Sequence, residues 1–183
     1  MSKSSKHLRI LLLMSLFAAL SIVFGKLLAF NIGDMIRISF ENLPILFAGI
    51  FLGPLHGMIV GVAADLLGCL IVGYAINPVI TLGAAVIGLS AGLLFRLTKP
   101  LPPALRIFSA VIIAHLLGSV LIKTAGLAAF YGTVGYPMLM LWRSYYLAIA
   151  LLEGAIILVL FKSYAARALY RMLGIFPKQG GGA

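Results

Sequence analysis

Acidic residues are scarce in this chain. It has four in 183 positions: Asp34, Glu41, Asp65 and Glu153. Charged residues of both signs reach only 10%, where a soluble domain carries about 25%. Cysteine is nearly absent too. Cys69 stands alone, which excludes an internal disulfide framework or a cysteine zinc cluster. The three histidines, His7, His56 and His115, are too dispersed by expected depth to share a metal, so no metal site or cofactor is expected. HExxH and GxSxG are missing. Gly25-Lys26 has Leu20 where a Walker A loop needs glycine and Leu27 where it needs Ser or Thr. No constellation for catalysis remains, and uphill transport would need an ion gradient or a partner.

Apolar sequence fills the space. Hydrophobic residues make up 63% of the chain, and runs of 18 or more recur, so the expectation is an integral membrane protein in a lipid bilayer. The fold class is all-α, a single domain over 1–183. Six spans are drawn at about 8–30, 36–53, 55–72, 78–95, 106–129 and 139–161, with a basic cytoplasmic tail over 162–183. The first run is too long for a signal peptide and lacks a clear small-residue cleavage site, so it reads as a retained helix. Gly53-Pro54 breaks the chain between the second and third spans. Gly49, Gly53, Gly57 and Gly61, then Ala84, Gly88 and Gly92, recur every four residues and suit close helix packing in lipid.

The net charge of +10 could suggest nucleic acid, but its distribution argues otherwise. Lys3, Lys6 and Arg9 precede the first run; Arg96, Lys99 and Arg106 bracket the loop "RLTKPLPPALR"; Lys162, Arg167, Arg171 and Lys178 close the chain. An even span number puts all three clusters on one side, as the positive-inside rule asks of cytoplasmic segments. Both termini are then cytoplasmic.

That topology gathers distant polar residues at the outer face. Arg37 and Glu41 open the second span, Lys123 lies in the outer third of the fifth, and Arg143, Tyr145 and Tyr146 open the sixth. Tyr74 and Asn77 lie in an outer loop. Ionisable groups at membrane depth mark binding sites or wet cavities. The expected site is a pocket for an amphipathic anion, with Phe40 and Asp65 as further candidates. Alternatives stand beside this reading: Arg37 and Glu41 as an i, i+4 pair, Asn77 as a helix cap before Pro78, Asp65 paired with a cation, Glu153 as a tie between helices, and His115 as a packing histidine.

The stretch "FAGIFLGPLHGMIVGVAADLLGCLIVG", followed by "NPVITLGAAVIGLSAGLLF", resembles the substrate-binding S component of an energy-coupling factor (ECF) vitamin transporter. "RISFENLPI" with "GYAINPVITLGA" is most similar to the folate-specific branch. The resemblance implies a subunit of the bacterial plasma membrane that binds folate outside. It then docks on a transmembrane coupling subunit driven by two cytoplasmic ATPases. It also implies a docking face of small residues in the first span, here Ser15 and Ala19 of "SLFAA". Folate would place its pterin on Glu41 or Asp65, its benzoyl ring on Tyr74, Tyr145, Tyr146 or Phe40, and its carboxylates on Arg37, Lys123 or Arg143. Another vitamin, such as pantothenate, pyridoxine or a queuosine precursor, would suit the same scaffold. A membrane-embedded enzyme or a structural protein is the reading from another class.

Overall fold

A computed structural model describes residues 3–32, 36–132 and 135–163. Helix α1 (Lys3–Ile22) widens into a π-helical segment, Val23–Leu27. A short antiparallel hairpin follows, β1 (Phe30–Ile32) on β2 (Ile36–Ile38), in the register Phe30–Ile38, Asn31–Arg37, Ile32–Ile36. Then come α2 (Asn42–Phe51), α3 (Pro54–Val72) and α4 (Pro78–Leu97). Helix α5 (Pro103–Ala114) runs through a second π segment, His115–Ile122, into α6 (Lys123–Tyr131). Helices α7 (Tyr136–Arg143) and α8 (Tyr146–Lys162) complete the bundle.

The all-α membrane bundle expected from the sequence is what forms, with two local differences. Five helical stretches among the described residues are long and apolar enough to cross a membrane. The segment drawn as a second span is not one of them. Its first residues form β2, and its helix has ten residues, about 15 Å at 1.5 Å per residue. The physical reason is burial. Eight of those ten residues are buried, so α2 sits within the bundle. The segment still joins the two ends of the bundle: Glu41 lies beside Gly25 and Lys123, and Gly53 lies beside the Arg96 guanidinium. The second difference is a break at Ser144–Tyr145, which divides the last crossing into α7 and α8. The tail over 164–183 and the loop with Asp34 lie outside the described residues.

Local chemistry sets the boundaries. Gly53 adopts φ 118°, a conformation few other residues reach, and Pro54 then starts α3 with φ already fixed. Gly73 at φ 74° closes α3, and Tyr74 N–H donates to Cys69 O at 2.9 Å, a six-to-one Schellman bond. Asn77 caps α4: its Oδ1 accepts from Val79 N at 3.0 Å and Ile80 N at 3.4 Å.

Glycines lock α2, α3 and α4 together. A Cβ on Gly57 would strike Gly49 and the Gly88 carbonyl, and one on Gly92 would strike the Gly49 carbonyl and Pro54. Backbones touch here because nothing projects between them. An aromatic ladder closes the opposite end, Phe17–Phe47–Phe51–Phe161–Phe95, with centroids 4.2–5.8 Å apart, and Arg106 lies 4.0 Å over Phe95. Leu12, Leu16, Leu70, Ile71, Leu152 and Val159 are exposed apolar side chains that suit lipid. Gly88→Ala should therefore lower stability by about 1–3 kcal/mol through overpacking, read as an earlier thermal transition in detergent. Leu70→Ala should leave that transition nearly unchanged.

Candidate ligand-binding site

The hairpin end of the bundle holds a cavity of about 500 Å³, within the range of small-molecule sites. Lys26, Lys123 and Arg143 line it with Glu41 and Asp65. Tyr74 and Tyr146 supply aromatic surface, and Cys69, Ala75, Ile80 and Leu127 complete the wall. Three cations against two carboxylates leave a net positive lining.

Each polar group is placed by its own element. Glu41 is the residue before α2, and Gly25 in the first π segment lets it lie against α1. A Cβ on Gly25 would stand 2.9 Å from Glu41 Cβ and Oε2. Lys123 follows the second π segment, and its Nζ donates to Glu41 Oε1 at 2.8 Å and to Asn42 Oδ1 at 3.4 Å. The Lys123 side chain is nearly buried, while Glu41 keeps part of its surface on the cavity. π segments recur at functional sites because they widen the helix locally, and both here flank the cavity. Asp65 Oδ2 accepts from Thr81 Oγ1 at 2.6 Å, which ties α3 to α4 at the cavity wall. The Arg143 guanidinium lies 4.8 Å from the Tyr146 ring centre and donates weakly from Nη2 to Ser119 O at 3.5 Å. Its Nε is buried with no hydrogen-bond partner among the described residues. Lys26 Nζ stands 5.3 Å over Tyr74.

Of the residues expected at the site, Glu41, Asp65, Tyr74, Lys123, Arg143 and Tyr146 share the cavity. Asn77 caps α4, and its Nδ2 donates to Gly126 O at 2.9 Å, so it braces the wall. Tyr145 stacks on Tyr146 at 4.6 Å, and both Tyr145 and Phe40 pack on the small cluster of Val120, Tyr146 and Ile149 behind the cavity. The Arg37 backbone pairs with Asn31 in the hairpin; its side chain lies outside the described residues. Arg37 is in a strand and Glu41 precedes a helix, so the two are not spaced one turn apart on a helix. Glu41 pairs with Lys123, 82 positions away. Sequence reasoning passed over Lys26. Its signal was depth: it ends the first crossing at the same level as Glu41.

Ser15 and Ala19 are exposed on α1. They line a separate apolar groove of about 320 Å³ between α1 and α3, with Ala18, Ile59 and Ala63.

The family profile for the substrate-specific component of ECF transporters matches residues 9–165. The chain belongs to that family. It is a substrate-binding transporter subunit and an integral membrane protein. No curated protein matches it. Among solved structures, one described as FolT bound with folic acid is similar at TM-score 0.61 and 22% identity, covering 93% of this chain and 95% of that one. Another, described as the S component of a bacterial ECF transporter, is similar at TM-score 0.57 and 22% identity, covering 94% and 99%. At this identity the likeness speaks for the fold.

The buried half of the ion pair sets a stability prediction. Lys123→Met removes the ammonium that donates to Glu41 Oε1. It should cost roughly 3 kcal/mol, the low end for breaking a buried pair, because Glu41 retains some exposure. Lys123→Met with Glu41→Gln should recover part of that loss in the same thermal assay.

Proposed function

We propose that this ECF S component binds folate at the hairpin-end cavity, on the outer face of a bacterial plasma membrane. The observation that carries this reading is the pair of Lys123 and Glu41, 2.8 Å apart at the cavity wall. It sets a donor-only ammonium beside an acceptor-only carboxylate. A pterin has the matching edge: a ring N–H and an amino group, two donors for Glu41, beside a carbonyl oxygen for Lys123. Tyr74 and Tyr146 offer faces for the benzoyl ring. The Arg143 guanidinium, on the cavity lining, suits a glutamyl carboxylate. Lys26 adds a second cation for the dianionic tail.

Orientation follows from charge. Arg96, Lys99 and Arg106 lie at the end opposite the cavity, and the positive-inside rule turns that end to the cytoplasm. Delivery then requires docking on the transmembrane coupling subunit and its two cytoplasmic ATPases, with the Ser15–Ala19 face in contact. That face is exposed, apolar and built of small side chains, which suits close helix approach.

Calorimetry with folate, pantothenate and pyridoxine tests the ligand. Folate should bind near stoichiometrically; clear pantothenate heat without folate heat would assign another vitamin. Arg37→Ala, Glu41→Gln and Arg143→Ala should each weaken folate binding at least roughly tenfold, since loss of a charge-assisted contact in a desolvated pocket costs about 2–5 kcal/mol. On pteroate, which lacks the glutamate, Arg143→Ala should lose its penalty and Glu41→Gln should keep it. Ala19→Trp should abolish uptake and co-purification of the complex while leaving folate binding intact. Loss of binding as well would make Ala19 an internal packing position.

A further inference from the structure

Behind Lys123 a line of polar side chains runs into the apolar core. Asn42 Nδ2 donates to Ser119 Oγ at 3.4 Å. Ser119 Oγ meets His115 Nδ1 at 3.3 Å. His115 Nε2 meets Glu153 Oε2 at 2.5 Å. Asn42, Ser119, His115 and Glu153 are fully buried, and none lines the cavity. The line ties α2, the second π segment and α8, three elements that a packing histidine alone would not need to join.

The chemistry gives this line a direction. An ammonium can only donate, so the Asn42 atom facing Lys123 is its carbonyl oxygen, and its amide nitrogen faces Ser119. With its oxygen accepting from Asn42, the Ser119 hydroxyl proton is available to His115 Nδ1. In that arrangement His115 carries its proton on Nε2, toward Glu153 Oε2. Asn42, Ser119 and His115 each accept from one neighbour and donate to the next, and Glu153 accepts. Glu153 Oε1 ends the line with no partner among the described residues.

We propose that Asn42, Ser119, His115 and Glu153 form a positioning relay that holds the Lys123 ammonium in the direction the ligand meets. Lys123 has several rotatable bonds and a single carboxylate partner at the cavity. Asn42 Oδ1 supplies a second fixed acceptor, and the buried line behind it prevents the amide from turning over. Ligand binding at Lys123 and Glu41 should in turn be felt at His115. The relay concerns this chain's own side chains; only the choice of folate as probe rests on the proposed function.

The test uses the full chain in detergent, with ¹⁵N-labelled histidine and His115→Gln to assign the His115 signals. The relay predicts a neutral His115 protonated on Nε2, with ring signals that move on addition of folate. It also predicts that Lys123→Met moves them with no ligand present. Asn42→Leu should weaken folate binding at least about tenfold, the scale of a lost hydrogen bond to a charged group, and should abolish the folate response at His115. Ser119→Ala, a smaller change, cuts the line if Asn42→Leu fails to fold, and should likewise abolish that response. His115 signals indifferent to Lys123→Met, or a folded Asn42→Leu protein with wild-type folate affinity, would overturn the relay. A wild-type chain that ignores folate, yet whose His115 signals shift in Lys123→Met, would retain the relay and refute the folate assignment.

Discussion

An ammonium and a carboxylate 2.8 Å apart, at membrane depth, organise the pocket end of this protein. Either charge alone in an apolar surround would cost several kcal/mol. Together they are tolerable, and they leave a donor and an acceptor side by side on a cavity wall. Their proximity depends on backbone features of three elements. The first π segment presents Gly25, which admits Glu41. The hairpin shortens the second crossing and brings Glu41 to the start of α2. The second π segment delivers Lys123. A regular helix in place of any one would turn its charge elsewhere.

The shortness of α2 accounts for the glycine packing. A ten-residue helix sits inside a membrane bundle where its neighbours pack closely around it. Gly49, Gly57, Gly88 and Gly92 let α3 and α4 close directly on α2. The tight packing toward the arginine end and the open cavity at the hairpin end are thus complementary. One end is filled by backbone contact and stacked phenylalanines, while the other is lined by charged side chains.

Much of this architecture was legible in the sequence. Apolar runs marked the membrane bundle, Gly53-Pro54 marked a break that the structure keeps, and Asn77-Pro78 marked a cap whose hydrogen bonds are present. The hairpin was hidden because "IRISF" is apolar enough to extend a helix. The π segments were hidden as well: "VFGKL" and "HLLGSVLI" each carry one glycine and no proline, a pattern that a regular apolar helix also tolerates. At the site, depth brought Glu41, Lys123, Arg143 and Tyr146 to one level, but depth carries no azimuth. It therefore could not separate Tyr146, on the cavity, from Tyr145 behind it, nor show that His115 and Glu153 satisfy each other.

The central claim is that the Lys123–Glu41 pair reads the polar edge of a vitamin. A crystal structure of the chain crystallised with folate tests it most directly. The account predicts the pterin in the hairpin-end cavity, with its ring N–H and amino group within hydrogen-bond reach of Glu41 and its carbonyl oxygen on Lys123. A ligand seated with a glutamyl carboxylate on Lys123 and its pterin away from Glu41, or bound outside this cavity, would contradict it.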